Sequence, residues 1–85
     1  MKEFKYVITD AEGIHARPAT MFVKKAAGFK SDVSIEADGK KANAKGVFGV
    51  MGLGVKQGAE ITVTVEGEDE VTAAAELETF LKENL

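Results

Sequence analysis

The chain has no cysteine and no tryptophan, and only one proline and one histidine among 85 residues. Without cysteine, disulfide staples and thiolate zinc sites are excluded. One histidine likewise excludes metal sites built from two or three imidazoles. No apolar run approaches the roughly 18 residues that suggest a membrane-spanning helix. The opening MKEFKYVITD alternates apolar with charged residues, which is not the pattern of a secretory leader. What remains is one small domain, residues 1–85, with a hydrophobic content of 45%, expected to be soluble and cytoplasmic. Its core must be thin, because ordering each residue costs entropy that a short chain offsets only narrowly.

A net charge of −3 conceals an uneven distribution. Residues 13–58 carry eight basic and three acidic side chains, whereas residues 59–85 carry one basic and eight acidic. If the middle segment folds to one side, that side is electropositive on an acidic protein. Basic residues are too few, and too poor in interleaved aromatics, for a nucleic-acid surface. Local sign governs steering, so an acidic protein partner or a small anion fits better.

The periodicity divides the chain into seven elements. Strand one spans Lys2 to Thr9, with Phe4, Tyr6 and Ile8 on one face. Helical spacing begins at Ala16, where Ala19, Phe22, Val23 and Ala26 make one apolar stripe and Gly28 marks the stop. Asp32 to Ala37 alternates again, and Asp38-Gly39 is a two-residue hairpin signal leading into Lys40 to Asn43. Glu60 to Glu66 points Ile61, Val63 and Val65 inward. A last helix, about Glu70 to Asn84, buries Ala73, Ala74, Leu77, Phe80 and Leu81, with the carboxylates of Asp69 and Glu70 suited to its start. With a short helix between the third and fourth strands, the order is βαββαβα. Strands with one wet face fit an antiparallel sheet covered on one side. The fold class is therefore α+β, an open-faced β-sandwich: a four-stranded antiparallel sheet with helices on one face.

The segment Gly13-Ile14-His15-Ala16-Arg17-Pro18-Ala19-Thr20 carries the most chemistry. Pro18 is tolerated only in a first turn, where its missing N–H has no partner to lose. That fixes the helix start at about Ala16 and places His15 at the N-cap or just before it. The amides of Ala16 and Arg17 then lie free at the positive end of the helix dipole, a setting for an anion. Arg17 adds a guanidinium fork for phosphate oxygens, and a histidine nitrogen can attack phosphorus near neutral pH. On the residues alone, a surface histidine that merely precedes a helix is the favoured reading.

The outer face of the same helix groups Arg17, Thr20, Met21 and Lys24 opposite the core stripe. Met21 there is either a lone exposed methionine or the centre of a docking patch. Downstream, residues 45–54 read KGVFGVMGLG, with glycines at 46, 49, 52 and 54. Neither GxxxxGK(S/T) nor a GxGxxG joining a strand to a long helix is present, so no nucleotide loop is indicated. A short helix held by tertiary contacts fits better, since each interior glycine costs about 0.8–1 kcal/mol relative to alanine. Val50 and Leu53 suit the core. Val47, Phe48 and Met51 are either an exposed apolar patch or core as well.

GIHARPAT at the start of a helix, followed by FGVMGLGVKQGAEITV, resembles the HPr phosphocarrier family of the phosphoenolpyruvate-dependent sugar phosphotransferase system. The resemblance runs over essentially the whole chain. It implies four antiparallel strands under three helices, and phosphorylation of His15 on Nδ1 by phosphorylated Enzyme I. The phosphoryl group would then pass to the EIIA domain or subunit of a sugar-specific Enzyme II. Arg17 would assist, the backbone of Ala16 and Arg17 would hold the phosphate, and no metal or cofactor would be involved. Partners would dock on Ala16, Arg17, Thr20, Met21, Lys24, Val47, Phe48, Gly49, Met51 and Gly52. Such a chain is expected to be a monomer and a stoichiometric carrier rather than an enzyme.

One departure is informative. Many relatives carry a regulatory serine where this chain has Gly46, and the only serines here are Ser31 and Ser34. The resemblance thus does not support control through a serine phosphate, and a transfer-only carrier is expected. Two other classes compete with it. A regulatory module would dock without transferring, and a small acyl-phosphate hydrolase would need an anion cradle plus a positioned water.

Overall fold

The period-two segments pair into one sheet and the period-3.6 segments lie across it. The computed structural model describes residues 1–85, with β1 at Lys2–Val7, α1 at Ala16–Ala27, β2 at Asp32–Ala37, β3 at Lys40–Asn43, α2 at Val47–Gly52, β4 at Glu60–Glu66 and α3 at Glu70–Asn84. Strand order is β1-β4-β2-β3 and every pairing is antiparallel. Phe4 and Ile35 both lie opposite Val63, and Ala42 lies opposite Ile35, so one register line of apolar side chains crosses all four strands. The β2–β3 hairpin turns through Asp38 and Gly39 at φ of 50° and 77°, the doubly positive geometry that the Asp-Gly pair predicts. The expected α+β, open-faced β-sandwich is the one observed.

Helix α1 covers the sheet with Ala19, Phe22 and Ala26, and α3 with Ala73, Leu77, Phe80 and Leu81, all buried. The rings of Phe22 and Phe80 meet between the two helices at 5.9 Å. Val23 and Ala74, placed on these stripes by periodicity, sit half-buried at the margins of the core. The opposite sheet face is polar and uncovered, with Glu36 paired across strands to Lys41 and to Thr62. No helix is long and apolar enough to cross a membrane.

Two local expectations change in the structure. Strand β1 ends at Val7 rather than Thr9, because the amides of Thr9 and Asp10 turn to the carbonyl of Leu85 at 2.5 and 2.9 Å instead of to β4. Gly28 closes α1 as expected, in a right-handed conformation (φ −75°, ψ −10°). Asp69 occupies the N-cap of α3 without capping it. Its carboxylate instead accepts from the backbone amides of Lys30 and Ser31, each at 2.9 Å, and from the Ser31 hydroxyl. Ser31 is 1% exposed, so its amide and hydroxyl require partners from the protein. Glu70 turns back to the Gly67 amide at 3.2 Å and to the Met1 ammonium at 2.6 Å.

These contacts make the join between α1 and β2 acid-sensitive. The Ser31 hydroxyl, and then the Lys30 amide, hold the Asp69 carboxyl below its ordinary value of 3.8. A carboxyl depressed in the folded state favours folding above its unfolded value, and that favour is lost as pH falls through the folded value. Asp69→Asn is therefore expected to lower the melting temperature at pH 7 and to flatten its decline below about pH 4. Melting curves at several pH values check this. Parallel acid limbs in the two proteins would contradict it.

Candidate functional site

The loop between β1 and α1 is tied at both ends and along its length. The Ile8 carbonyl accepts from Gly58 at 2.8 Å, and the Ile14 amide donates to the Val55 carbonyl at 3.1 Å. Thr9 adds its hydroxyl to the Leu85 carbonyl at 2.7 Å, and the Gln57 side-chain amide donates to the Thr9 carbonyl at 3.2 Å. Asp10 folds the turn by accepting the Glu12 amide on Oδ1 at 2.8 Å and the Gly13 amide on its carbonyl at 2.9 Å. Gly13 then passes against residues 55–56 at φ +68°. A Cβ there would collide with the Val55 carbonyl and stand 2.7 Å from the Lys56 Cα, so only glycine admits this approach.

The loop delivers His15 to the N-cap of α1 in extended backbone (φ −111°, ψ 179°). Its carbonyl accepts the Ala19 amide at 3.0 Å, while its side chain makes no cap and is 37% exposed. The amides of Ala16 and Arg17 precede the first intrahelical bond and have no protein partner, and Pro18 has no N–H to offer. No acidic residue lies in the first turn, and Arg17 is exposed with no carboxylate paired to it. Two free amides and the positive end of a helix dipole therefore adjoin His15, with the unpaired Arg17 in the same first turn, which suits an anion.

The acidic neighbours of His15 are not evident from the helix pattern. Its Nε2 stands 3.4 Å from Glu12 Oε2 and 3.9 Å from Asp10 Oδ1. The only sequence signal is a pair of acids three and five residues before the histidine, inside a turn. Donor atoms of the three residues lie within 4.8 Å of one another, close enough to share one cation. Glu12 is exposed and Asp10 half-buried, and acidic groups near a surface commonly cluster with no metal involved.

Around this point the two helices present one outward face. Ala16, Arg17, Thr20, Met21 and Lys24 are exposed on α1, and Phe48, Gly49, Met51 and Gly52 on the neighbouring α2. Phe48 is 88% exposed, an unusual setting for a phenyl ring, with Met21 at 44% and Met51 at 40%. Val47 is half-buried and packs on the core with Val50, so the apolar part of this face is Met21, Phe48 and Met51. Thr20 returns its hydroxyl to the Ala16 carbonyl at 2.8 Å. Gly46 is the N-cap of α2, with no side chain to modify. No cavity opens beside His15: the hollows lie between α1 and α3, around Lys25 and Glu76, and on the polar sheet face around Ser34 and Lys41.

Residues 2–83 match the model of the family described as "PTS HPr component phosphorylation site". The histidine-containing phosphocarrier protein of Mycoplasma is similar in structure, with a TM-score of 0.94 and 35% identity, covering 96% of this chain and 93% of that one. HPr from Thermoanaerobacter tengcongensis gives a TM-score of 0.93 at 42% identity, covering 98% and 93% of the two chains. The Bacillus subtilis catabolite-repression protein Crh, described as a domain-swapped dimer, gives 0.78 at 42% identity, covering 100% and 98%. A family model that spans nearly the whole chain, on a fold shared throughout with these proteins, establishes the family: the chain belongs to the HPr phosphocarriers of the phosphotransferase system.

Proposed function

We propose that this chain carries a phosphoryl group on His15, taking it from phosphorylated Enzyme I, with phosphoenolpyruvate as source, and passing it to an EIIA domain. The observation that carries the reading is the exposed imidazole at the N-cap of α1, next to two unpartnered helix amides and two residues before Arg17. In the first transfer the Nδ1 lone pair attacks phosphorus, an N–P bond forms, and the bond to the donor's leaving group breaks with its electron pair. The Ala16 and Arg17 amides and the Arg17 guanidinium face the phosphoryl oxygens and balance their charge. The second transfer is the same step with His15 as leaving group. No hollow beside His15 would hold a small substrate, which favours a carrier over a hydrolase.

On this reading both partners come to the exposed face of α1 and α2, one after the other. Arg17 and Lys24 steer acidic partners, while Met21, Phe48 and Met51 supply adaptable apolar contact. Each step uses one copy of the chain, and with Gly46 at the N-cap of α2 we read it as a transfer-only carrier. A relay of Enzyme I, phosphoenolpyruvate, Mg²⁺, this protein and an EIIA domain tests the function. Phosphorylation of EIIA should depend on the presence of this protein, and its absence with partners active on a known carrier would refute the reading.

Phe48→Ala is expected to weaken binding to either partner about tenfold, the scale of one contributing interface aromatic. The melting temperature should stay unchanged, since the ring is 88% exposed. Titration calorimetry against Enzyme I and EIIA checks this, and undiminished affinity for both would move the docking surface elsewhere.

A further inference from the structure

The acids at positions 10 and 12 face the histidine with a definite polarity. Nε2 is the ring nitrogen that meets both carboxylates, at 3.4 Å from Glu12 and 3.9 Å from Asp10. The backbone that presents Glu12 is fixed: its amide donates to Asp10 Oδ1 at 2.8 Å, and the next residue, Gly13, is locked against Val55. A carboxylate beside Nε2 favours a proton on that nitrogen, and a neutral imidazole with its proton on Nε2 has its lone pair on Nδ1. Of the two ring nitrogens, Nδ1 is thus the one left as nucleophile.

We propose that Glu12 is a positioning residue, seated by Asp10, that holds the His15 proton on Nε2 and keeps Nδ1 ready for phosphoryl transfer. The proposal rests on the carrier reading above for its purpose, but its physical content is a property of the unphosphorylated protein. It also continues through the reaction. When Nδ1 forms its bond to phosphorus and the donor's bond breaks, the Nε2 proton stays and the ring becomes cationic. Glu12 and Asp10 then face that positive charge, while the phosphoryl oxygens are served by the opposite charges at the start of α1. When phosphorus leaves for the next acceptor, the electron pair returns to Nδ1 and the ring is again neutral with Nε2 protonated. No proton need move in either direction.

The test compares the unsubstituted protein with Glu12→Ala and Glu12→Gln. The Glu12 side chain is 74% exposed, so both variants should fold, and unshifted amide signals of Gly13 and Ile14 verify the loop. The first readout is the tautomer ratio from ¹⁵N NMR of the His15 ring at alkaline pH, where the ring is neutral. A free imidazole has its own tautomer preference, so the difference between variants is what counts. Loss of a half-exposed charge contact should reduce the ratio of Nε2–H to Nδ1–H about threefold in Glu12→Ala. Glu12→Gln, which keeps an acceptor without the charge, should lie between. The second readout is phosphorylation by Enzyme I, where kcat should fall about threefold while KM for the carrier stays constant. An unchanged tautomer ratio in Glu12→Ala would overturn the proposal, as would a change in KM alone. Failure of Enzyme I to phosphorylate even the unsubstituted protein would instead refute the carrier reading, with the tautomer result standing by itself.

Discussion

Replacement of His15 by alanine is expected to abolish phosphoryl uptake completely while leaving the fold and the docking face intact. The imidazole sits at an N-cap without capping, and its side chain supports no other element. Removing it therefore takes away the nucleophile and little else, so the loss is chemical rather than structural. No second histidine exists to substitute for it. Intact-mass spectrometry after exposure to phosphorylated Enzyme I should show no added phosphoryl group, and the variant should compete with the unsubstituted protein for Enzyme I at similar affinity. An acid-labile phosphoryl group on the variant would place the acceptor elsewhere.

The second large effect is on stability. Phe22→Ala removes a ring that is 2% exposed and stands 5.9 Å from Phe80, at the point where α1 and α3 meet over the sheet. Truncations of this kind cost about 3–5 kcal/mol. A domain of this size has roughly 4–13 kcal/mol in total, so the variant should be marginal. Its melting temperature should fall by more than about 12 °C. Met21→Ala, on the opposite face of the same helix and 44% exposed, should change stability by less than about 0.5 kcal/mol. Thermal melts by circular dichroism compare the two directly. Equal, small shifts would mean that α1 is not held by the face the structure buries.

That contrast also explains what was legible in the chain beforehand. Alternation in β2 and β4 and the 3.6-residue stripes of α1 and α3 report which face is buried, and burial is what the pattern encodes. Pro18 fixed the start of α1 because its ring and missing amide admit only a first-turn position. Asp38-Gly39 likewise specified the hairpin through its backbone angles. Contacts between polar groups far apart in sequence leave no such trace. The Leu85 carbonyl that ends β1 lies 76 residues from Thr9, and the Ser31 amide and hydroxyl that draw Asp69 away from its own helix lie 38 residues from it. Nothing periodic announces either one. The approach of Glu12 to His15 is local, yet it depends on the turn that Asp10 and Gly13 impose. Val47 shows the same limit in the apolar residues: its side chain could have joined the exposed patch, and only the seating of α2 on the core decides otherwise.

The central claim is that His15 itself becomes phosphorylated, and ³¹P NMR with intact-mass analysis after incubation with Enzyme I, phosphoenolpyruvate and Mg²⁺ tests it most directly. One phosphoryl group per chain is expected, labile in acid, with a chemical shift that marks attachment to Nδ1. No added group under conditions where Enzyme I phosphorylates a known carrier would contradict it, and would leave a domain that docks through α1 and α2 without transferring.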